Sequence, residues 1–146
     1  MTTTLQPVTV VIAGPAVAKG RPRMTRRGFA YTPAKTRKYE AHGRLAAQLA
    51  MDGRPPFDVP CGLTALIELP IPASWSKRRR AAAISGDIRP ITRPDVDNYV
   101  KAALDAINGI VLVDDCLVVD LRAEKKYGPT PQLVLRITPL AVEVAA

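Results

Sequence analysis

The run Arg93-Pro94-Asp95-Val96-Asp97-Asn98-Tyr99-Val100-Lys101 sets two carboxylates two residues apart and a lysine four residues beyond the second. A second acidic pair, Asp114-Asp115, follows the apolar run Ile110-Val111-Leu112-Val113. Adjacent carboxylates repel unless a cation lies between them and a partner. Hard divalent cations such as Mg²⁺ take oxygen ligands and keep several waters, so two or three carboxylates brought from separate elements can form a cage. A cation held there activates water and neutralises charge on a phosphoryl group, and a lysine nearby meets the phosphate as a point charge. Each feature also has an ordinary structural use. Asp95 or Asp97 can cap a helix, Asp97–Lys101 and Lys101–Asp105 are i, i+4 pairs contributing under ~0.5 kcal/mol, and Asp114-Asp115 suits a turn.

The elements that must position these residues follow from periodicity. Val96, Val100, Ala103, Leu104 and Ile107 recur at the helical period, with Asp97, Lys101 and Asp105 as a separate stripe and Gly109 as the stop after the helix. Pro94 biases Arg93 toward an extended conformation, so the carboxylates stand where an extended segment turns into a helix. After the acidic pair, Leu117, Val119, Leu121 and Ala123 alternate with Val118, Asp120, Arg122 and Glu124, which predicts a strand with one apolar face that Lys125-Lys126-Tyr127-Gly128 ends. Val8 to Ile12, Gly62 to Leu69, and Leu133, Leu135 and Ile137 mark three further strands, the last forming a hairpin-like C-terminal pair with its predecessor. A helix is predicted from Thr32 or the Pro33-Ala34 step to about Met51, with Tyr39, Leu45, Ala46, Leu49 and Ala50 as its apolar residues. Ser76 is placed to N-cap a short helix. These elements predict an α+β fold: a single domain over 1–146, with a mixed β-sheet flanked by helices.

There are 21 Lys+Arg against 13 Asp+Glu, a net charge of +8. Such a chain suits a polyanionic partner. The distribution is sharper than the total. No acid precedes Glu40, while Lys19, Arg21, Arg23, Arg26, Arg27, Lys35, Arg37 and Lys38 crowd the segment of about 19–38. Arg21 to Met24 and Gly28 to Tyr31 are spaced for a short hairpin with guanidinium groups at its tip, and Phe29 or Tyr31 is available either to stack on a base or to pack on the core. Lys77, Arg78 and Arg79 form a second basic patch. Lys35, Arg37 and Lys38 oppose the macrodipole at a helix start, which points to phosphate rather than to helix stability.

Other classes are disfavoured. No apolar run approaches the ~20 residues of a spanning helix and no secretory apolar region is present, so a cytoplasmic protein with no membrane partner is expected. Cys61 and Cys116 are far apart and His42 is the only histidine, which leaves nothing from which to build a structural zinc site. Both thiols are expected buried or half-buried and unpaired. His42 reads as a surface or packing residue.

The sequence from Arg93 to Gly109 and from Val113 to Val119, with Lys19-Gly20-Arg21-Pro22-Arg23 and Tyr31-Thr32-Pro33 before it, resembles the RusA family of Holliday-junction resolvases (crossover junction endodeoxyribonucleases). The likeness covers most of residues 8 to 138. It implies a homodimeric, Mg²⁺-dependent endonuclease, with Mn²⁺ as a substitute ion, that nicks two opposed strands of four-way junction DNA. The family's catalytic carboxylates fall on Asp95, Asp97 and Asp115, which are also its metal ligands, and its catalytic lysine falls on Lys101. The catalytic segment spans about 93–126. Two alternatives share the basic surface: a non-catalytic nucleic-acid-binding protein, and a nuclease for flaps or single strands. The acidic cluster argues against the first, because carboxylates repel phosphate unless a cation neutralises them.

Overall fold

Alternating β-branched and leucine side chains give three strands one buried face each: Val8, Val10 and Ile12 on one, Leu63, Ala65 and Ile67 on the second, and Leu133, Leu135 and Ile137 on the third. The computed structural model describes residues 5–20 and 23–140. In chain order it contains β1 (Val8–Ala13), β2 (Arg23–Met24), β3 (Ala30–Tyr31), α1 (Ala34–Met51), β4 (Cys61–Leu69), α2 (Lys77–Ser85), α3 (Val96–Ile107), a 3₁₀ turn (Asp115–Leu117), β5 (Val118–Tyr127) and β6 (Gln132–Pro139). The architecture is α+β. Strands β1, β6, β4 and β5 lie side by side in that order in a mixed sheet, and β2 pairs with β3 in a separate hairpin.

Strand β6 is antiparallel to both β1 and β4, whereas β4 and β5 are parallel. A parallel pair needs a crossover, and α3 supplies it by packing against β4 and β5. The hairpin-like C-terminal pair expected from the sequence is therefore absent: β4 inserts between β5 and β6. Helix α1 packs on β1 and on α3, so both helices cover one sheet face. The core between them also takes Phe57, Tyr99, Ala103, Ile107, Val111 and Leu112.

Helix α1 ends where expected, but it faces the core with other residues. Thr36, Gly43, Ala47 and Met51 are buried, while Leu45 and Leu49 are 56% and 72% exposed. The small side of the helix turns inward because α3 approaches closely there. A Cβ built on Gly43 would stand 2.8 Å from the Ala106 Cβ and 3.1 Å from Ile12 Cδ1. On α3 the buried set is Tyr99, Val100, Ala102, Ala103, Ala106 and Ile107, with Val96 37% exposed at the first turn.

Strand β5 runs on through Tyr127, taking in Lys125 and Lys126, which were expected to end it. Its expected apolar face lies at the sheet edge, leaving Val119 65% and Leu121 50% exposed. Cys61 is buried but Cys116 is exposed in the acidic turn, and both are free thiols. Among the described residues no helix is long and apolar enough to cross a membrane.

Candidate active site

Helix α3 starts at an N-cap aspartate whose side chain does no capping. Asp95 is extended (φ −69, ψ 152), and its carbonyl accepts from the Asn98 and Tyr99 amides at 3.1 and 3.4 Å, yet its carboxylate accepts from no helix N–H. Asp97 occupies the first turn and is exposed. The N-terminal dipole favours negative charge at both positions. Neither carboxylate enters an ion pair among the described residues. Arg93, Pro94, Asp95 and Asn98 line an open cleft of ≈ 390 Å³. Lys101 lies one turn beyond Asp97, exposed on the same helix.

The acidic turn is pinned to the other end of α3. The Asp115 amide donates to Asn108 Oδ1 at 3.1 Å, and Asp114 Oδ1 accepts from the Cys116 amide at 3.2 Å. Arg44 of α1 donates to the carbonyls of Asp105 and Asn108 at 3.2 and 3.3 Å, satisfying groups that the helix end leaves free. Lys19 Nζ meets Asp105 Oδ2 at 2.7 Å, and the Lys19 amide donates to the Asn98 carbonyl at 3.2 Å. The basic segment is thereby laid along α3.

Charge is unevenly shared at this end. The Cys116 amide and a hydrogen bond from Asp115 hold the Asp114 carboxyl below the usual carboxylate range. The hydrogen bond with Asp114, followed by burial and the charges of Asp114 and Asp105, pushes Asp115 up. Lys19 is raised chiefly by its hydrogen bond to Asp105, with Glu40 and Asp115 adding to the effect.

The expected metal-binding trio is thus divided along the helix. Asp95 and Asp97 stand at its start and Asp115 at its end, with Asp97 and Asp105 eight residues or ~12 Å of rise apart. Among the described residues no three His, Cys, Asp or Glu side chains converge on a common point that could hold an ion. The donors still fit Mg²⁺ by type. They are hard carboxylate oxygens, and Mg²⁺ is usually held by one or two carboxylates together with waters and substrate phosphates.

The basic residues divide as well. Arg23, Arg26 and Arg27 are exposed on the β2–β3 hairpin, whose turn is closed by the Thr25 amide donating to Phe29 O at 2.8 Å and the Phe29 amide to Thr25 Oγ1 at 3.0 Å. Phe29 and Tyr31 do not pack in the core; they are 69% and 47% exposed. Arg21 lies outside the described residues. Lys35, Arg37 and Lys38 are exposed on the first turns of α1, which carry no acid and no side-chain cap. Ser76 caps α2 by accepting from the Arg79 amide at 3.2 Å, and Lys77, Arg78 and Arg79 are exposed. Arg79 is also stacked, with its Cζ 3.9 Å from the Trp75 ring centroid. Among the described residues of the basic set, Lys19 stands apart because it is already in an ion pair.

Sequence reasoning missed Arg44, Asn108 and Lys125 as parts of this assembly. For Arg44 and Asn108 no local signal exists, since their partners are 61 and 7 residues away. For Lys125 there was one: it continues the inward positions of β5 after Leu121 and Ala123, where an apolar residue is expected.

The model of a family described as Endodeoxyribonuclease RusA matches residues 13–138. The Bacillus subtilis (strain 168) protein YqaN, itself described as uncharacterized, is 36% identical over 133 residues, covering 86% of this chain and 92% of that one. The family match takes in the basic hairpin, the start of α3 and the acidic turn together, and the chain belongs to the RusA endodeoxyribonuclease family.

Proposed function

We propose that the protein is a divalent-metal-dependent endodeoxyribonuclease that resolves four-way DNA junctions by paired, symmetric nicks, acting in the cytoplasm in recombination and repair. The carrying observation is that, among the described residues, Asp95 and Asp97 leave their carboxylates free of capping and of ion pairs, in a chain of net charge +8. A DNA-binding surface gains nothing from uncompensated carboxylates, which repel phosphate. A hydrolytic site uses them.

Asp95 and Asp97 at the start of α3, with Asp115 contributing from its end, would hold one or two Mg²⁺ ions, with Mn²⁺ as the substitute. The ion, when bound, supplies an activated water and neutralises charge on the phosphoryl group. The chain's own residues do the remaining work. Lys101 contributes a mobile positive charge beside the carboxylates, suited to a non-bridging phosphate oxygen. Arg23, Arg26 and Arg27 on the hairpin, with Lys35, Arg37 and Lys38 on α1 and Lys77, Arg78 and Arg79 on α2, orient the duplex arms through phosphate contacts. Phe29 and Tyr31, exposed beside those arginines, offer stacking faces for a base near the junction centre. A junction has two equivalent scissile phosphates, and a protein with one site per chain meets both as a homodimer.

Incubating the protein with a synthetic four-way junction, a duplex and a flap, with and without Mg²⁺, tests this reading. Paired nicks confined to the junction and to Mg²⁺-containing samples are expected. Preferential cutting of the flap would move the substrate class, and no cutting of any DNA would end the nuclease reading.

A further inference from the structure

We propose that Lys125 is a positioning residue for the acidic segment, holding the backbone that aims Asp95 into its cleft. In the parallel β4–β5 register Leu63 pairs with Leu121, Ala65 with Ala123 and Ile67 with Lys125. Leu63, Ala65 and Ile67 are all buried on the helix-covered face, so Lys125 projects from that face too. A lysine there has a half-buried stem and an ammonium that must find acceptors. It finds two. Lys125 Nζ donates to the carbonyl of Thr92 at 3.0 Å and to that of Pro94 at 3.1 Å.

Those two carbonyls flank Arg93 and lead directly into Asp95. Residues 91 to 97 are all exposed, Ile91 to 94%, so packing does little to hold this stretch. A hydrogen bond from a charged donor is stronger than a neutral one, and two from one ammonium fix the orientation of the two peptide groups on either side of the Arg93–Pro94 link. The donor is also mounted on a strand of the main sheet, the rigid part of the fold. A cation near a helix N-terminus opposes the macrodipole, so helix stability does not account for its placement. The cleft lined by Arg93, Pro94, Asp95 and Asn98 is the feature that its removal would deform.

The inference rests on the nuclease reading for its kinetic arm and on backbone order for an independent arm. Lys125→Met keeps the stem and removes the donors; Lys125→Arg restores donors; Lys125→Leu is a second donor-free variant should Lys125→Met fail to fold; Lys126→Met, on the exposed neighbour, is the control. Lys125→Met should retain its melting transition and its metal-free junction affinity. It should cut roughly 10- to 100-fold more slowly at fixed Mg²⁺, the usual effect of removing a supporting group, and need more Mg²⁺ for half-maximal rate. Lys125→Arg should recover most of that loss. In hydrogen exchange, the amides of Asn98 and Tyr99, which donate to the Asp95 carbonyl, should exchange faster in Lys125→Met while those of β4 and β6 do not change. If wild type cuts and the folded Lys125→Met or Lys125→Leu variant cuts with the same Mg²⁺ dependence, the assignment is overturned. If wild type cuts no DNA, the nuclease reading fails, and unchanged exchange at Asn98 and Tyr99 then overturns the positioning role separately.

Discussion

Lys19 Nζ lies 2.7 Å from Asp105 Oδ2, joining the basic N-terminal segment to the acidic side of α3 across 86 residues of chain. Both side chains are over a third exposed, at 44% and 35%, so the pair adds little to global stability. Its effect is local. Asp105→Asn should leave the melting temperature nearly unchanged while trypsin cleaves the 19–31 segment several-fold faster. Lys19 is raised above 10.5, so on the lysine side the tether stays charged through neutral pH and is lost only as pH rises through the folded value. Cleavage rates of the wild-type segment, taken relative to an unstructured reference peptide at each pH, should therefore be flat from pH 6 to 9, and a change in that ratio would count against the tether.

The hairpin arginines are expected to contact phosphate. Replacing Arg26 and Arg27 together by Ala should reduce the slope of log K against log salt for junction binding by up to about 2, near 0.9 per lost contact. Titration at several salt concentrations gives the slope directly. An unchanged slope would remove the hairpin from the DNA surface.

Gly43→Ala adds a good helix former to α1 and should still destabilise the protein. The helix gains roughly 0.5–1 kcal/mol. Against that, the new methyl meets Ala106 Cβ at 2.8 Å and Ile12 Cδ1 at 3.1 Å, and overpacking of this kind costs roughly 1–3 kcal/mol. Ile12 can yield at its tip, but Ala106 has no side-chain freedom. A melting temperature lower by roughly 3 °C or more is expected, and a higher one would show that α1 and α3 can move apart.

Much of this packing was legible beforehand and some was not. Strands β1, β4 and β6 follow from short apolar runs bounded by Gly and Pro, and the end of α3 from Gly109, because those signals are local. The inward face of α1 was misjudged because leucine was weighted above glycine and alanine. Close approach to Ala106, a residue 63 positions away, decides that face. The placement of β4 between β5 and β6 is a long-range pairing with no short-range signature. The acidic residues were legible by type and spacing. Their division between the two ends of α3 was not, because the position of Asp115 depends on its bond to Asn108.

Asp115→Asn should stabilise the metal-free protein. Asp114 and Asp105 push the Asp115 carboxyl above its ordinary range, so between pH 3.8 and the folded value the native state holds the extra proton. Wild-type stability therefore falls as pH rises through that window. The asparagine variant escapes the fall, so its advantage in melting temperature should be absent at the acid end, grow through the window and then level off. Melting curves in chelator from pH 3.5 to 7 give this profile. An advantage independent of pH would mean that charge repulsion is not its cause. The same variant should lose cleavage.

The central claim is that the Asp97 carboxylate serves a metal and not the helix. Asp97→Asn keeps size and most capping ability while removing the charge. After the melting temperature confirms folding, junction affinity without metal and cleavage with Mg²⁺ are measured on one preparation. Metal-free binding should be equal or tighter, since a negative charge facing phosphate is gone, and cleavage should fall by orders of magnitude. A folded Asp97→Asn protein that nicks the junction at near wild-type rate would contradict the account.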